Sequence, residues 1–86
     1  MITLSRNEIL VLECLLKSGC VSEIKAITLK KLGEKVNLSY YSVRNILKAL
    51  VYADFCGEGC KCGRADTFYV NARGIEVLNK LKEDVL

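Results

Sequence analysis

The sequence predicts a single domain over residues 1–86, mainly α with a small β-hairpin. Three observations lead there. Apolar side chains recur at helical spacing in four separate stretches. Each stretch follows a Ser, Thr or Asn able to cap a helix. A glycine- and cysteine-rich segment, flanked by two short β-prone runs, separates the last two stretches.

The first helix begins after Ser5. Ser5 and Glu8 have the spacing of a capping box, in which each side chain accepts from the other's backbone N–H, and Leu4 and Ile9 flank it as a hydrophobic staple. Ile9, Leu12, Leu15 and Leu16 form its stripe, with Leu10 and Val11 outside it. Gly19 accepts the left-handed backbone that ends a helix. A connector over 20–27 follows, with a short strand near Ala26 and Ile27. Thr28 caps the second helix, whose stripe is Leu29, Leu32 and Val36. Asn37 and Leu38 break the chain, and Asn tolerates positive φ. Ser39 caps a third helix reaching about Tyr52, with Val43, Ile46, Leu47 and Leu50 at i, i+3, i+4 and i+7. Phe55–Gly57 and Thr67–Val70 read as strands joined by a loop too long for a tight turn. Asn71 caps a last helix over about 72–85.

Composition narrows the chemistry. A chain of 86 residues with 51% apolar and 27% charged side chains is a folded domain, not a disordered one. A domain this small buries only about 60% of its unfolded surface, which favours support from a partner subunit or a crosslink. No apolar run reaches the roughly 18 residues of a membrane span, and no leader pattern opens the chain, so a cytoplasmic, membrane-free protein is expected. There is no His, Trp, Pro or Gln. Without His, a Ser-His-Asp triad and a Cys/His zinc finger are both excluded, and no acid–base pair or phosphate-cradling loop points to an enzyme. The net charge of +3 is compatible with nucleic acid, but only its distribution is informative.

The stretch from Leu29 to Lys48 carries the strongest signal. Two helices meet at a very short break. Gly33 supplies a small residue where they cross, Asn37 the turn residue, and Leu32, Val36, Leu38, Val43 and Ile46 the inner apolar positions. The run LKKLGEKVNLSYYSVRNILK resembles the helix-turn-helix of winged-helix DNA-binding proteins, and FYVNARGIEVL resembles the wing-to-last-helix junction of small archaeal and archaeal-virus regulators. The resemblance covers nearly the whole chain. It implies a winged helix-turn-helix with an added C-terminal helix: helix-turn-helix about 29–52, wing about 54–70 and C-terminal helix about 72–85. It also implies a transcription regulator that binds double-stranded DNA, usually as a homodimer.

The residues support a DNA-facing third helix. It holds Arg44 and Lys48 and no acid between Ser39 and Tyr52. Arg pairs with guanine O6 and N7, and Asn with adenine N6 and N7, which points to Arg44 and Asn45. Ser39, Tyr40 and Tyr41 offer hydroxyls to phosphates near the helix start. Lys30 and Lys31 of the second helix can follow the backbone, and Lys61 and Arg64 of the wing can reach it too. The wing segment also holds Asp54, Glu58 and Asp66, so three acids oppose two bases there and weaken its DNA role.

Five cysteines pose a separate question. Cys56, Cys60 and Cys62 lie in the wing at C-x3-C-x-C spacing, among glycines that let a backbone curl around a metal. Zinc or an iron–sulfur cluster normally takes four ligands, so Cys20, Cys14 or a partner would supply the fourth. Some winged-helix proteins linked to ferrous iron transport are similar in placing a cysteine cluster there. A disulfide from Cys56 to Cys60 or Cys62, a Cys20 bridge to Cys14 or to a second copy, and free thiols all stay open. The apolar residues of the last helix, Ile75, Leu78, Leu81 and Val85, together with Leu10 and Val11, suggest a dimer interface. A second reading is a protein-interaction winged helix, an accessory factor with a metal or redox cysteine cluster in its wing.

Overall fold

The computed structural model describes residues 4–61 and 63–85, with 82–85 described as backbone alone. The elements run α1 (Arg6–Lys17), β1 (Ile27–Thr28), α2 (Leu29–Val36), α3 (Tyr40–Tyr52), β2 (Cys56–Glu58), β3 (Thr67–Val70) and α4 (Ala72–Val85). The strands form one antiparallel sheet in the order β1-β3-β2. Ile27 and Thr28 pair with Phe68 and Thr67 on one side of β3, while Cys56, Gly57 and Glu58 pair with Val70, Tyr69 and Phe68 on the other. This is a winged helix-turn-helix with an added C-terminal helix. Among the described residues, no helix is long and apolar enough to cross a membrane.

The helix starts match the sequence expectation. Glu8 N–H donates to Ser5 Oγ and Ser5 N–H to Glu8 Oε1, closing the capping box at 3.2 and 3.0 Å. Thr28 Oγ1 accepts from Lys31 N–H, Ser39 Oγ from Ser42 N–H, and Asn71 Oδ1 from Gly74 N–H. Each cap satisfies a helix-end donor that would otherwise lack a partner.

Two helix ends share one device. Past α1, Gly19 is left-handed (φ 76°), Gly19 N–H donates to Leu16 O, and Cys20 N–H reaches back to Leu15 O at 2.9 Å. Past α3, Asp54 is left-handed (φ 66°), Asp54 N–H donates to Val51 O, and Phe55 N–H reaches Leu50 O at 2.9 Å. Both are Schellman ends, in which the residue after the left-handed one turns back onto the helix with its apolar side chain. Phe55 therefore belongs to the helix end, and the strand starts one residue later than the sequence suggests. Asp54 likewise leaves the wing: its carboxylate pairs with Arg73 at 3.2 Å, and its carbonyl accepts from Asn71 Nδ2 at 2.8 Å.

The core joins all the helices. Val11, Leu12, Leu15, Leu32, Val43, Leu47, Leu50 and Val70 are fully buried. Helix α4 packs onto α1 and completes the enclosure. Val11 is 0% exposed and Leu78 1%, which removes both from any dimer surface. The physical reason is that α1 is central and presents a second apolar side, outside its main stripe, for α4 to cover. Val85 lies outside the residues whose side chains are described.

The α1 end gives a direct test. A Cβ at Gly19 would meet nothing within 4 Å, so Gly19→Ala adds only the strain of a left-handed backbone. That strain is about 1–2 kcal/mol, and thermal unfolding is expected to show a corresponding loss of roughly 4–8 °C per kcal/mol.

Candidate nucleic-acid interface

The helix-turn-helix is built on a close approach. A Cβ at Gly33 would stand 3.2 Å from Leu38 O and 3.7 Å from Val43 Cγ2, so a larger residue there would push α3 away from α2. Asn37 takes the left-handed turn (φ 57°, ψ 42°), and Asn37 and Leu38 N–H groups both return to Gly33 O. Leu38 then packs on the core, and Ser39 starts α3. The Ser39 hydroxyl accepts from Ser42 N–H and donates to Ser42 Oγ at 3.0 Å, so its work is capping.

Helix α3 divides by period. Val43, Leu47 and Leu50 are fully buried, and Ile46 packs partly against them. Tyr41, Arg44, Asn45 and Lys48 share the solvent face, and Tyr52, one turn further, continues it. Tyr41 is 70% exposed and Tyr52 94%. The sequence reading missed Tyr52, although adding four to Lys48 finds it. Tyr40 stands to one side, where it lines a groove with Lys30, Gly33 and Leu38. Among the described residues, Arg44, Lys48, Lys30 and Lys31 have no ion-pair partner.

The wing meets this face across a concavity of about 340 Å3. Leu29 and Phe68 contribute its apolar lining, Arg44 and Lys48 its helix wall, and Glu58 and Asp66 its wing wall. Asp66 also pairs with Lys61 at 3.7 Å, both well exposed, and Arg64 is exposed nearby. That the two acids line the same hollow as Arg44 and Lys48 was not visible in the sequence.

Among the described cysteines, Cys14, Cys20, Cys56 and Cys60, no three converge. Cys56 is 2% exposed in the core opposite Val70, and burial pushes its thiol up to about 12. Cys60 is exposed; its N–H donates to Glu23 O and its carbonyl accepts from Thr67 Oγ1 at 2.6 Å. The structure therefore separates Cys56 from Cys60, because β2 turns Cys56 inward while Cys60 lies past the strand. Cys20 is buried as the turn-back residue of the α1 end, and its carbonyl accepts from Val70 N–H. Its thiol is raised by burial first and by Cys14 second, with Lys35 acting the other way. Cys14 is half-buried, and both it and Cys20 are free thiols. Cys62 lies outside the described residues, among which no three metal-ligating side chains converge.

No family model matches the chain. A DNA-binding protein TubR from a Clostridium botulinum C phage is 35% identical over 77 residues, spanning 90% of this chain and 95% of that protein. The chain belongs to the TubR family. The solution structure of a DNA-binding TubR fragment from Clostridium botulinum superposes with a TM-score of 0.76 at 34% identity, covering 93% of this chain and 99% of the fragment. TubR from Bacillus megaterium pBM400 gives a TM-score of 0.80 at 19% identity over 92% of this chain and 87% of its own, a likeness of fold. So does a MarR family regulator from Streptomyces coelicolor, with a TM-score of 0.80 at 21% identity over 95% of this chain and 54% of that one. These relatives are from bacteria and a bacterial phage, not from the archaeal proteins that the sequence motifs resemble.

Burial of Cys56 predicts its chemistry. At pH 8, a thiol alkylating agent should modify Cys60 in the folded protein and Cys56 only after denaturant is added, as read by mass spectrometry. Between pH 9.0 and about 12 the unfolded chain loses the Cys56 proton while the folded chain keeps it. The stability linked to this thiol is therefore intact below pH 9.0 and falls as pH rises towards 12. Urea midpoints of Cys56→Val should decline less steeply over that window.

Proposed function

We propose that this chain is a sequence-specific double-stranded DNA-binding transcription regulator that acts as a homodimer, with α3 seated in the major groove. The observation that carries this reading is the solvent face of α3: two cations without ion-pair partners among the described residues, Arg44 and Lys48, on a helix with no acid. Arg44 bonds a guanine edge and Asn45 an adenine edge. Tyr40 and Tyr41, in the first turn, and Lys30 and Lys31, on α2, hold phosphates on either side. Lys61 and Arg64 give the wing a secondary contact, weakened at Lys61 by its pairing with Asp66. The 35% identical TubR is a DNA-binding protein, which supports the same role here.

Selection from a random duplex pool should yield a defined motif. Against that motif, Arg44→Ala is expected to lose about 1–3 kcal/mol, roughly five- to 150-fold in Kd. Lys31→Ala should weaken all duplexes evenly and lower the salt slope by about 1. An unchanged Kd for Arg44→Ala on the selected duplex would remove Arg44 from base reading.

Homodimerisation places two copies of α3 about 34–36 Å apart on a two-fold DNA site. On this reading the partner copy covers Leu10 on α1, 40% exposed, and the half-buried Ile75 and Leu81 on α4. Sedimentation equilibrium should give a dimer mass for the wild type and a monomer mass for Leu10→Glu. A monomeric wild type would contradict the dimer.

A further inference from the structure

The concavity between α3 and the wing brings opposite charges to one place. Arg44 and Lys48 stand one helical turn apart on one wall, and Glu58 and Asp66 on the other. Neither acid lies within ion-pair distance of Arg44 or Lys48. Asp66 is partly neutralised by Lys61, whereas Glu58 has no ion-pair partner among the described residues. The acids are therefore not a closed salt-bridge network holding the wing. They are fixed negative charges at the edge of a DNA-facing surface, where a purely attractive design would place lysines.

We propose that Glu58 and Asp66 are specificity-determining residues that discriminate against duplexes lacking the recognised base pairs. This rests on the DNA-binding reading above. On a matched site, Arg44 bonds directionally to a base edge, which wing carboxylates cannot imitate. On an unmatched site its only available partner is a phosphate. A phosphate close enough to pair with Arg44 or Lys48 from the concavity side meets both carboxylates across it. Like-charge repulsion then weakens the sequence-independent part of binding, the part that supplies nearly all non-specific affinity. Glu58 is the cleaner of the two, because removing Asp66 also releases Lys61 as an extra cation.

The test compares full-length wild type, Glu58→Gln, the double variant Glu58→Gln/Asp66→Asn, and Glu76→Gln. Glu76, exposed on α4 and paired with Lys80, serves as a control for net charge. Kd is measured for the selected duplex and for a random-sequence duplex of equal length, from about 0.05 to 0.3 M salt. Glu58→Gln is expected to bind the random duplex at least threefold tighter at low salt, and the double variant more tightly still. The selected duplex should gain less, and the difference should shrink as salt screens the charges. Thermal unfolding should be little changed, since both acids are exposed. An unchanged or weaker affinity for random duplex overturns the proposal. So does an equal gain on both duplexes, or the same gain from Glu76→Gln, because either reports net charge alone. A wild type that selects no duplex at all overturns the DNA-binding reading, and the proposal with it.

Discussion

The backbone of Val70 and Asn71 is held from two directions. Val70 N–H donates to Cys20 O at 2.9 Å, and Asn71 N–H donates to Phe55 O at 3.1 Å. Each acceptor is the turn-back residue of a helix end, past α1 and past α3. One dipeptide, the last residue of β3 and the cap of α4, thus ties together two helices, the wing and the C-terminal helix. Asn71 adds its side chain, which donates to Asp54 O and accepts from Gly74 N–H. The angle between wing and recognition helix depends on this junction, and so does the hollow between them. It requires left-handed backbone at residues 19 and 54, which Gly19 supplies freely and Asp54 supplies against a steric preference.

Charge is allocated by the same geometry. The exposed pairs Asp54–Arg73, Lys61–Asp66 and Glu76–Lys80 each contribute only about 0–1 kcal/mol to stability. Their consequence is which charges remain available. Arg73 is engaged at the α3 end, away from the recognition face, and Asp54 no longer counts against the wing. Among the described residues, Lys30, Lys31, Arg44 and Lys48 remain unpaired on α2 and α3. A net charge of +3 says little as a total, yet these four cations of α2 and α3 have no ion-pair partner among the described residues.

Features set by near neighbours in the chain were legible. All four caps, the left-handed Gly19 and Asn37, the close approach at Gly33 and the outward positions of α3 follow from spacings of a few residues. What escaped was set by packing between distant elements. Nothing in a local pattern says that α1 is central enough to need two buried sides, so Val11 reads as spare and Leu78 as available. Asp54 reads as a wing acid until its left-handed backbone and its Arg73 partner are seen together. The separate surroundings of Cys56 and Cys60 were hidden for a similar reason. Closeness in sequence suggests a cluster, but β2 sends Cys56 into the core while Cys60 lies beyond the strand's end.

The register of β2 connects that buried thiol to the recognition surface. Side chains two apart on a strand share a face, so Cys56 and Glu58 point to the same side of the sheet. Their partners Val70 and Phe68 are buried on that side, beneath α3 and the core. Cys56 is buried in the core; Glu58, two residues further along, is exposed and lines the concavity. An apolar residue at 58 would extend the core into the hollow. A carboxylate instead remains solvated at its rim while its β-carbon stays aligned with Phe68. The alternation that buries Cys56 therefore carries Glu58 to the face opposite Arg44 and Lys48. A slip of one residue in this pairing would turn the acid away and expose the thiol together, so the position of Glu58 is as firmly set as the core itself.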